Sequence, residues 1–300
     1  MSYKKRLTVP WMTCKMPNHN YGESDVVQEL SDKLAYLSPY KYCELFSSGT
    51  TALWSAFQIL KQHHNVKTSS FCDYNYPAIL NASHYANYEY IICPADINGK
   101  SVFRKDTDVE CTTTFDGQPQ SLSSKYTIED NAYWIWSDQK YTFSMISFGT
   151  NKTLESGCGG ALFFDDAIYI DSLKKLKYQG AVERSDKIGR YKSVGFNVKY
   201  NDYSADLILK QLDRLQEKQK AITEKKIYLK DLLKNFGKIE TNTGCYTSMI
   251  CNDKKHTIDF LQKQNITYKE SWQPLSTLTG ATTSQSTIDF CNKHLFLETV

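Results

Sequence analysis

Short apolar runs alternate with helical or turn segments in the middle of this 300-residue chain. Strands alternating with helices are typical of a mostly parallel sheet covered on both faces. The predicted strands lie at residues 69–72, 90–94, 109–113, 126–129, 143–147 and 161–164. Helical spacing of apolar residues predicts helices over residues 20–37, 52–60 and 76–85.

The pattern becomes strongly helical from Asp202 onward. An apolar stripe and a lysine-rich continuation predict one long helix to about Phe236, which links two domains. In the tail, strands are predicted at residues 246–251 and 266–268, and helices at 257–263 and 287–293. We therefore expect a large α/β domain over residues 1–215 and a small α+β domain over residues 216–300.

Charge gives no reason to expect nucleic acid or an anionic membrane as a partner, because 36 basic and 33 acidic residues leave a net charge of only +3. Lysine runs at residues 174–177 and 225–226 are interpreted as solvent-facing sides of helices. No apolar run has membrane-spanning length, and the N-terminus has no signal-peptide core.

Nine cysteines are present, an odd number without CxxC spacing. Several lie inside apolar runs, as Cys93 does. We interpret them as reduced, mostly buried thiols of a cytoplasmic protein and expect no zinc or other metal site.

Lys152 is the first candidate for chemistry. It follows Ser147 and Phe148 and precedes a glycine-rich segment at residues 157–160. A lysine amine condenses with the aldehyde of pyridoxal phosphate (PLP), a nearby hydroxyl holds the cofactor phosphate, and glycines let the backbone approach a flat ring. Most lysines are solvated surface charges, so the interpretation needs support from other segments.

Two further segments have residues suited to that cofactor. Residues 48–51, Ser-Gly-Thr-Thr, begin the second predicted helix, and a helix N-terminus with hydroxyls suits a phosphate. Helix capping alone explains the same residues. Asp130 ends a predicted strand at the sheet edge where α/β proteins bind ligands, and Glu129 points to the opposite face. The Asp130 carboxylate could keep a pyridine nitrogen protonated, or it could cap the next turn.

Asn197 precedes the long predicted helix. Its amide could donate to the cofactor phosphate, within the chain or across a dimer interface, while Asn201 or Asp202 could simply cap the helix.

In this order, the segments resemble the DegT/DnrJ/EryC1/StrS family, PLP-dependent aminotransferases of nucleotide-sugar and polysaccharide biosynthesis. The resemblance rests on residues 48–53, 129–132, 147–152, 157–160, 195–197 and 211–212. Weaker matches lie at residues 20–22, 30–34, 96–98 and 115–119. The match covers roughly residues 20–215 and is loose in the tail.

The resemblance implies a fold-type-I enzyme with a large three-layer domain and a small C-terminal domain. Lys152 would form the Schiff base with PLP and move the proton, and Asp130 would pair with the ring nitrogen. Tyr76 would stack on the ring. Tyr133 stands where the family usually has Gln or His and would contact the ring or its hydroxyl.

Phosphate contacts and subunit arrangement are implied in the same way. Ser147, Thr50 and Thr51 would hold the phosphate, and Asn197 would reach the phosphate of the partner subunit's cofactor. A homodimer with shared active sites follows. Lys199 replaces the usual arginine two residues after that asparagine.

The implied reaction is transfer of nitrogen, with glutamate as the expected donor, through pyridoxamine phosphate to a keto group of a nucleotide-linked sugar. Two alternatives stay open. One is a dehydratase or lyase on the same scaffold, since some relatives replace the lysine by histidine and remove a hydroxyl. The other is a non-catalytic binding protein of this fold.

Overall fold

The computed structural model describes residues 24–102, 106–114, 120, 122–133, 139–184, 189–239 and 244–299. The sequence matches at residues 20–22 and 115–119 lie outside the described residues, as does Cys14.

Within the described part, the large sheet has seven strands in the order β1-β7-β6-β5-β4-β2-β3. Only β7 is antiparallel to its neighbours, β1 and β6; the other adjacent pairs are parallel. The predicted mostly parallel sheet is confirmed, and the first strand is an addition that the sequence pattern did not predict. The strands are β1 (Tyr42–Phe46), β2 (Thr68–Cys72), β3 (Glu89–Cys93), β4 (Val109–Thr113), β5 (Tyr126–Asp130), β6 (Phe143–Ser147) and β7 (Gly160–Phe164).

Helices cover both faces of this sheet, as the three-layer prediction requires. They are α1 (Asp25–Leu37), α2 (Gly49–His64), α3 (Pro77–Tyr85), α4 (Ile170–Lys177) and α5 (Asp202–Leu212), with a short 3₁₀ turn at Ala167–Tyr169. Strand β7 shows the division: Leu162 and Phe164 join the core under α2, α3 and α4, whereas Phe163 joins the core under α1 and α5. Alternate residues of a strand face opposite sides, so a strand buried on both faces is apolar throughout.

A second sheet of the described chain lies in the C-terminal part, with antiparallel strands in the order β10-β11-β13-β12. A hairpin of β8 (Ala181–Arg184) and β9 (Gly189–Tyr191) precedes it. The second sheet consists of β10 (Gly237–Ile239), β11 (Tyr246–Cys251), β12 (Tyr268–Glu270) and β13 (His294–Glu298). The helices of this part are α6 (Leu215–Leu232), α7 (Lys254–Lys263), α8 (Leu275–Thr279) and α9 (Gln285–Lys293). Leu275 of α8 joins the core of the large sheet. The domain boundary at residue 215 stays a prediction.

Three tail elements differ from the prediction. The single long helix is two helices, because the chain turns at residues 213–214 between α5, packed on α1, and α6. The strand predicted at residues 266–268 lies at Tyr268–Glu270. Strand β13 was not predicted, because it follows α9 directly, without a glycine or proline to mark the change.

The interpretation of both lysine runs as solvent-facing is wrong at Lys177 and Lys226, which are buried. Lys177 forms an ion pair with Glu44 of β1, and Lys226 donates a hydrogen bond to the Gly244 carbonyl at 2.6 Å. Burial lowers the pKa of Lys226 to about 7. A lysine can be buried where acceptors are provided, which local sequence does not reveal.

The described cysteines are free thiols and mostly buried, as predicted; Cys158 is exposed. Across the residues the structure describes, no helix combines the length and apolarity that a membrane crossing requires.

Candidate active site

Six of the eight predicted site residues line a cavity of about 430 Å³ between the two sheets. One wall, which we call the large-sheet wall, comprises the carboxyl ends of β4, β5 and β6, the N-terminus of α2 and residues 149, 150, 152 and 157–159. The opposite wall, the small-sheet wall, comprises Tyr246, Lys269, Trp272 and Phe296. A cavity at the carboxyl ends of parallel strands is where α/β proteins bind ligands.

Lys152 lies on the turn after β6 and lines the cavity. Its Nζ is 4.2 Å from the ring centroid of Tyr133. Burial lowers its pKa, while Cys245 and Asp130 act in the opposite direction. The neutral, nucleophilic amine is therefore more populated than in an exposed lysine.

Asp130 lines the same cavity from the end of β5, with Oδ1 accepting from the Ala132 N–H at 3.1 Å. Burial raises its pKa to about 6, and the charge of Lys152 opposes that rise. Glu129 faces away and accepts from the hydroxyls of Thr114 at 2.5 Å and Ser144 at 2.6 Å. Strand alternation thus gives the cavity Asp130 and excludes Glu129.

The N-terminus of α2 reaches the cavity through Gly49 and Thr50. Ser48 and Thr51 form a reciprocal capping box, in which each backbone N–H donates to the other's side chain at 3.0 Å. Thr50 is among the cavity-lining residues, but Thr51 is not, because its hydroxyl is used for capping. The first-turn N–H groups of Gly49 and Thr50 have no acceptor within the helix.

Glycines shape the floor beside this helix end. Backbone bridges join Ser48 to Gly159 and Gly149 to Gly157. At Gly159, φ is +108° and a Cβ would lie 2.1 Å from the Tyr200 ring; at Gly160, a Cβ would lie 2.6 Å from Gly49 Cα. The backbone can approach α2 this closely only because side chains are absent.

Of the remaining four predicted residues, three line the cavity and one does not. Ser147 lines the cavity and accepts from the Gly149 N–H at 3.2 Å; Tyr76 and Tyr133 line it as well. Burial raises the pKa of Tyr133 well above its usual value, so its phenol stays protonated. Asn197 is exposed, pairs with Tyr178 in a backbone bridge and does not line this cavity.

Sequence reasoning missed the small-sheet wall entirely. The ammonium of Lys269 donates to the Tyr246 hydroxyl and lies 4.5 Å from that ring's centroid. Trp272 stacks on Tyr74 at 5.4 Å and meets the edge of Tyr76 at 5.9 Å. These residues lie far along the chain from the motifs, so spacing gave no signal for them.

The residues present fit PLP. An amine of lowered pKa, a buried carboxylate and a helix N-terminus with hydroxyls surround one space, and glycines leave room beside it. These groups match the aldehyde, the ring nitrogen and the phosphate of that cofactor.

Comparison with known proteins agrees with this chemistry. The model of the DegT/DnrJ/EryC1/StrS aminotransferase family matches residues 139–288. That stretch contains Lys152 and extends well beyond residue 215, into the tail where the resemblance seen in the sequence was loose. No curated protein sequence matches the chain significantly.

Solved structures share the fold at low sequence identity. PseC of Helicobacter pylori, an aminotransferase involved in the biosynthesis of pseudoaminic acid, has a TM-score of 0.78 and 15% identity, covering 91% of this chain and 85% of that chain. The sugar aminotransferase CalS13 of Micromonospora echinospora has a TM-score of 0.79 and 13% identity, covering 92% of this chain and 87% of that chain. A GDP-4-keto-6-deoxymannose-3-dehydratase with a trapped PLP-glutamate geminal diamine has a TM-score of 0.79 and 15% identity, covering 91% of this chain and 88% of that chain. These likenesses establish the fold-type-I architecture.

Proposed function

The chain belongs to the DegT/DnrJ/EryC1/StrS aminotransferase family, and from that premise we propose that it is a PLP-dependent enzyme that converts a keto group of a nucleotide-linked sugar into an amine, with glutamate as donor. The observation that carries the proposal is the placement of Lys152 and Asp130 in one cavity. Lys152 has a lowered pKa there, and Asp130 is buried.

Each group has a task in the transfer of nitrogen. When bound, PLP supplies the carbonyl that exchanges nitrogen and the ring that accepts the electron pair released at the donor's Cα. Asp130 stabilises positive charge at the ring nitrogen. Lys152 Nζ takes the proton from the donor's Cα and returns a proton during the exchange, which its lowered pKa favours near neutral pH.

Phosphate binding falls to the same wall. The N–H groups of Gly49 and Thr50, with the hydroxyls of Thr50 and Ser147, point to a dianion at the end of α2. Tyr76 and Tyr133 provide aromatic surface for the cofactor ring. Thr51 acts through the capping box, which fixes the first turn of α2.

The decisive test asks which lysine holds PLP, since Lys152 and Lys269 both line the cavity. The PLP-loaded protein is reduced with borohydride, digested and mapped by mass spectrometry. We expect the label on Lys152. A label on Lys269, or a protein that takes up no PLP, contradicts the proposal.

Product analysis separates transfer from the second candidate, a dehydratase, whose fold the chain shares. The enzyme, glutamate and a panel of nucleotide-linked keto sugars are incubated, and products are weighed by mass spectrometry. We expect an amine in place of the keto oxygen and formation of 2-oxoglutarate. A product that has lost water assigns the dehydratase instead.

We also infer a homodimer in which Asn197 serves the partner's site, because Asn197 is exposed and outside its own cavity. Mixing refolded Lys152→Ala and Asn197→Ala chains tests this. Restored activity supports shared sites, because mixed dimers contain one intact site; activity no higher than in either variant contradicts them.

A cytoplasmic location and a role in polysaccharide biosynthesis complete the proposal. Support for the location comes from the free, mostly buried thiols of the described residues, which suit a reducing compartment. Cell fractionation followed by immunoblotting checks it, and recovery with the membranes or outside the cell contradicts it.

A further inference from the structure

Lys269 brings a second positive charge to the cavity, on the wall opposite the cofactor motifs. It lies on β12, is exposed and lines the cavity. Its ammonium donates to the Tyr246 hydroxyl oxygen. That phenol therefore keeps its own O–H free to turn toward a ligand, so the pair presents two kinds of donor.

No carboxylate of the described residues lies within ion-pair distance of Lys269. Its neighbour Glu270 pairs instead with Lys254, at 3.3 Å. The charged side chains among the described cavity-lining residues are Lys152, Lys269 and Asp130. Under the proposed function PLP occupies Lys152, so Lys269 is the cation that remains for a second anionic ligand.

The positions of the two lysines discriminate between the anions that the reaction brings in. Lys152 lies over the Tyr133 ring and Lys269 over the Tyr246 ring, and these ring centroids are 5.4 Å apart. The α-carboxylate of an amino donor is one bond from the carbon that reacts beside Lys152. The diphosphate of a nucleotide-linked sugar is separated from the keto carbon by the sugar ring, so a cation on the wall opposite Lys152 suits the diphosphate better than the α-carboxylate.

Building on the proposed function, we propose that Lys269 binds the diphosphate of the nucleotide-linked sugar, with Tyr246 orienting its ammonium group. Trp272, on the same wall, offers apolar surface to the adjoining sugar. Lys269 is then a specificity-determining residue. It raises the affinity for the sugar substrate and not that for the amino donor, although both bind in the same cavity.

Calorimetric titration of the PLP-loaded protein tests the proposal with UDP, dTDP and GDP as probes. We expect at least one probe to bind the wild-type protein and to bind Lys269→Gln about tenfold more weakly, the value of one hydrogen bond to a charged group. Lys269→Arg should retain most of the affinity. Lys255→Gln, an exposed lysine of α7 outside the cavity, is the matched control.

A second readout is the glutamate half-reaction, followed by the cofactor's absorbance. For Lys269→Gln we compare two fold-changes from wild type: the loss of nucleoside diphosphate affinity, and the rise in the glutamate concentration that gives the half-maximal rate. The first fold-change should be about ten times the second. An equal or larger effect on glutamate places the donor's carboxylate on Lys269 and overturns the proposal. So does wild-type protein that binds none of the probes, or a Lys269→Gln variant that binds them normally.

A different experiment contradicts the proposed function, namely borohydride labelling at a residue other than Lys152. Nucleoside diphosphate titration does not depend on turnover, so the two failures are distinguishable.

Discussion

The two walls of the cavity differ in burial, charge and construction. The large-sheet wall holds its reactive groups in a buried setting, with Asp130 at 2% exposure and Lys152 half-buried. The small-sheet wall presents the exposed Lys269 beside aromatic rings. Burial changes the pKa values of Asp130 and Lys152, and a pKa change of this kind alters reactivity.

Under the proposed function, this difference separates the residues that carry out the reaction from the residue that binds the sugar substrate. Groups that exchange protons need shifted pKa values, and buried positions at strand ends provide them. A group that holds a permanent anion needs only its charge and a fixed position, which an exposed lysine beside a tyrosine provides. Substitutions on the large-sheet wall should therefore change reaction steps or folding, whereas those on the small-sheet wall should change affinity.

Lys152→Ala should have the largest effect. Under the proposed function this amine binds PLP and transfers the proton, so we expect the glutamate half-reaction to slow by at least about 10³-fold without it. The PLP-free fold should keep or gain stability, because the substitution removes a cation whose pKa burial lowers. Stopped-flow absorbance and urea unfolding measure the two quantities. A half-reaction near the wild-type rate would remove Lys152 from the mechanism.

Local sequence was sufficient for the large-sheet wall because its residues lie within or next to strands and helices that their own neighbours specify. Lys152 follows β6, Asp130 ends β5, and period-two alternation chose Asp130 over Glu129. The same reasoning also predicted Thr51 at the phosphate, but its hydroxyl caps the helix and Thr51 does not line the cavity. A motif does not say which hydroxyl faces the ligand.

Nonlocal packing decided the rest. Tyr246 and Lys269 reach the cavity only because β11 and β12 lie in one sheet with β13 between them. Strand β13 was itself missed in the sequence. Lys177 was assigned to the surface because its acid partner, Glu44, lies on a distant strand. Pairings of this kind depend on tertiary structure and not on residue spacing.

Gly159→Ala should unfold the large-sheet wall locally and lower the free energy of unfolding by about 3 kcal/mol or more. The new Cβ would lie 2.1 Å from the Tyr200 ring, whose hydroxyl is held at 2.5 Å from Ser156 Oγ. Gly157→Ala is the matched control: φ is also positive, but its Cβ meets nothing within 4 Å. It should cost only about 1–2 kcal/mol. Equal losses in urea unfolding would show that backbone conformation, not the close approach, sets the cost.

Asp130→Asn tests whether the buried carboxylate of the large-sheet wall lowers the stability of the fold. Burial raises the pKa of Asp130 from 3.8 in the unfolded chain to about 6 in the fold. The folded state then binds more protons between these values, so PLP-free wild-type protein loses stability as pH rises from about 4 to 6. Asp130→Asn removes this loss and should be more stable above pH 6, by about 3 kcal/mol.

Urea unfolding of PLP-free protein at pH 4.5 and 7.5 measures this gain, which should shrink at the lower pH. Lys269→Gln is the control from the small-sheet wall and should change stability by no more than about 0.5 kcal/mol at either pH, because Lys269 is exposed. A gain for Asp130→Asn that is equal at both pH values would assign it to packing rather than to charge.

Tyr246→Phe should have the smallest effect and sharpens the comparison most, since it removes one oxygen from the small-sheet wall. The ammonium of Lys269 loses its acceptor, and a bound anion loses a donor, so nucleoside diphosphate affinity should fall about threefold to tenfold. Tyr268→Phe in the same sheet is the control, because that hydroxyl accepts from Gln262 at 3.1 Å and lies outside the cavity. Calorimetric titration with the probe that binds the wild-type protein measures both variants. If Tyr246→Phe instead slows the glutamate half-reaction more than it weakens the nucleotide, the small-sheet wall takes part in the chemistry and the division between the walls is wrong.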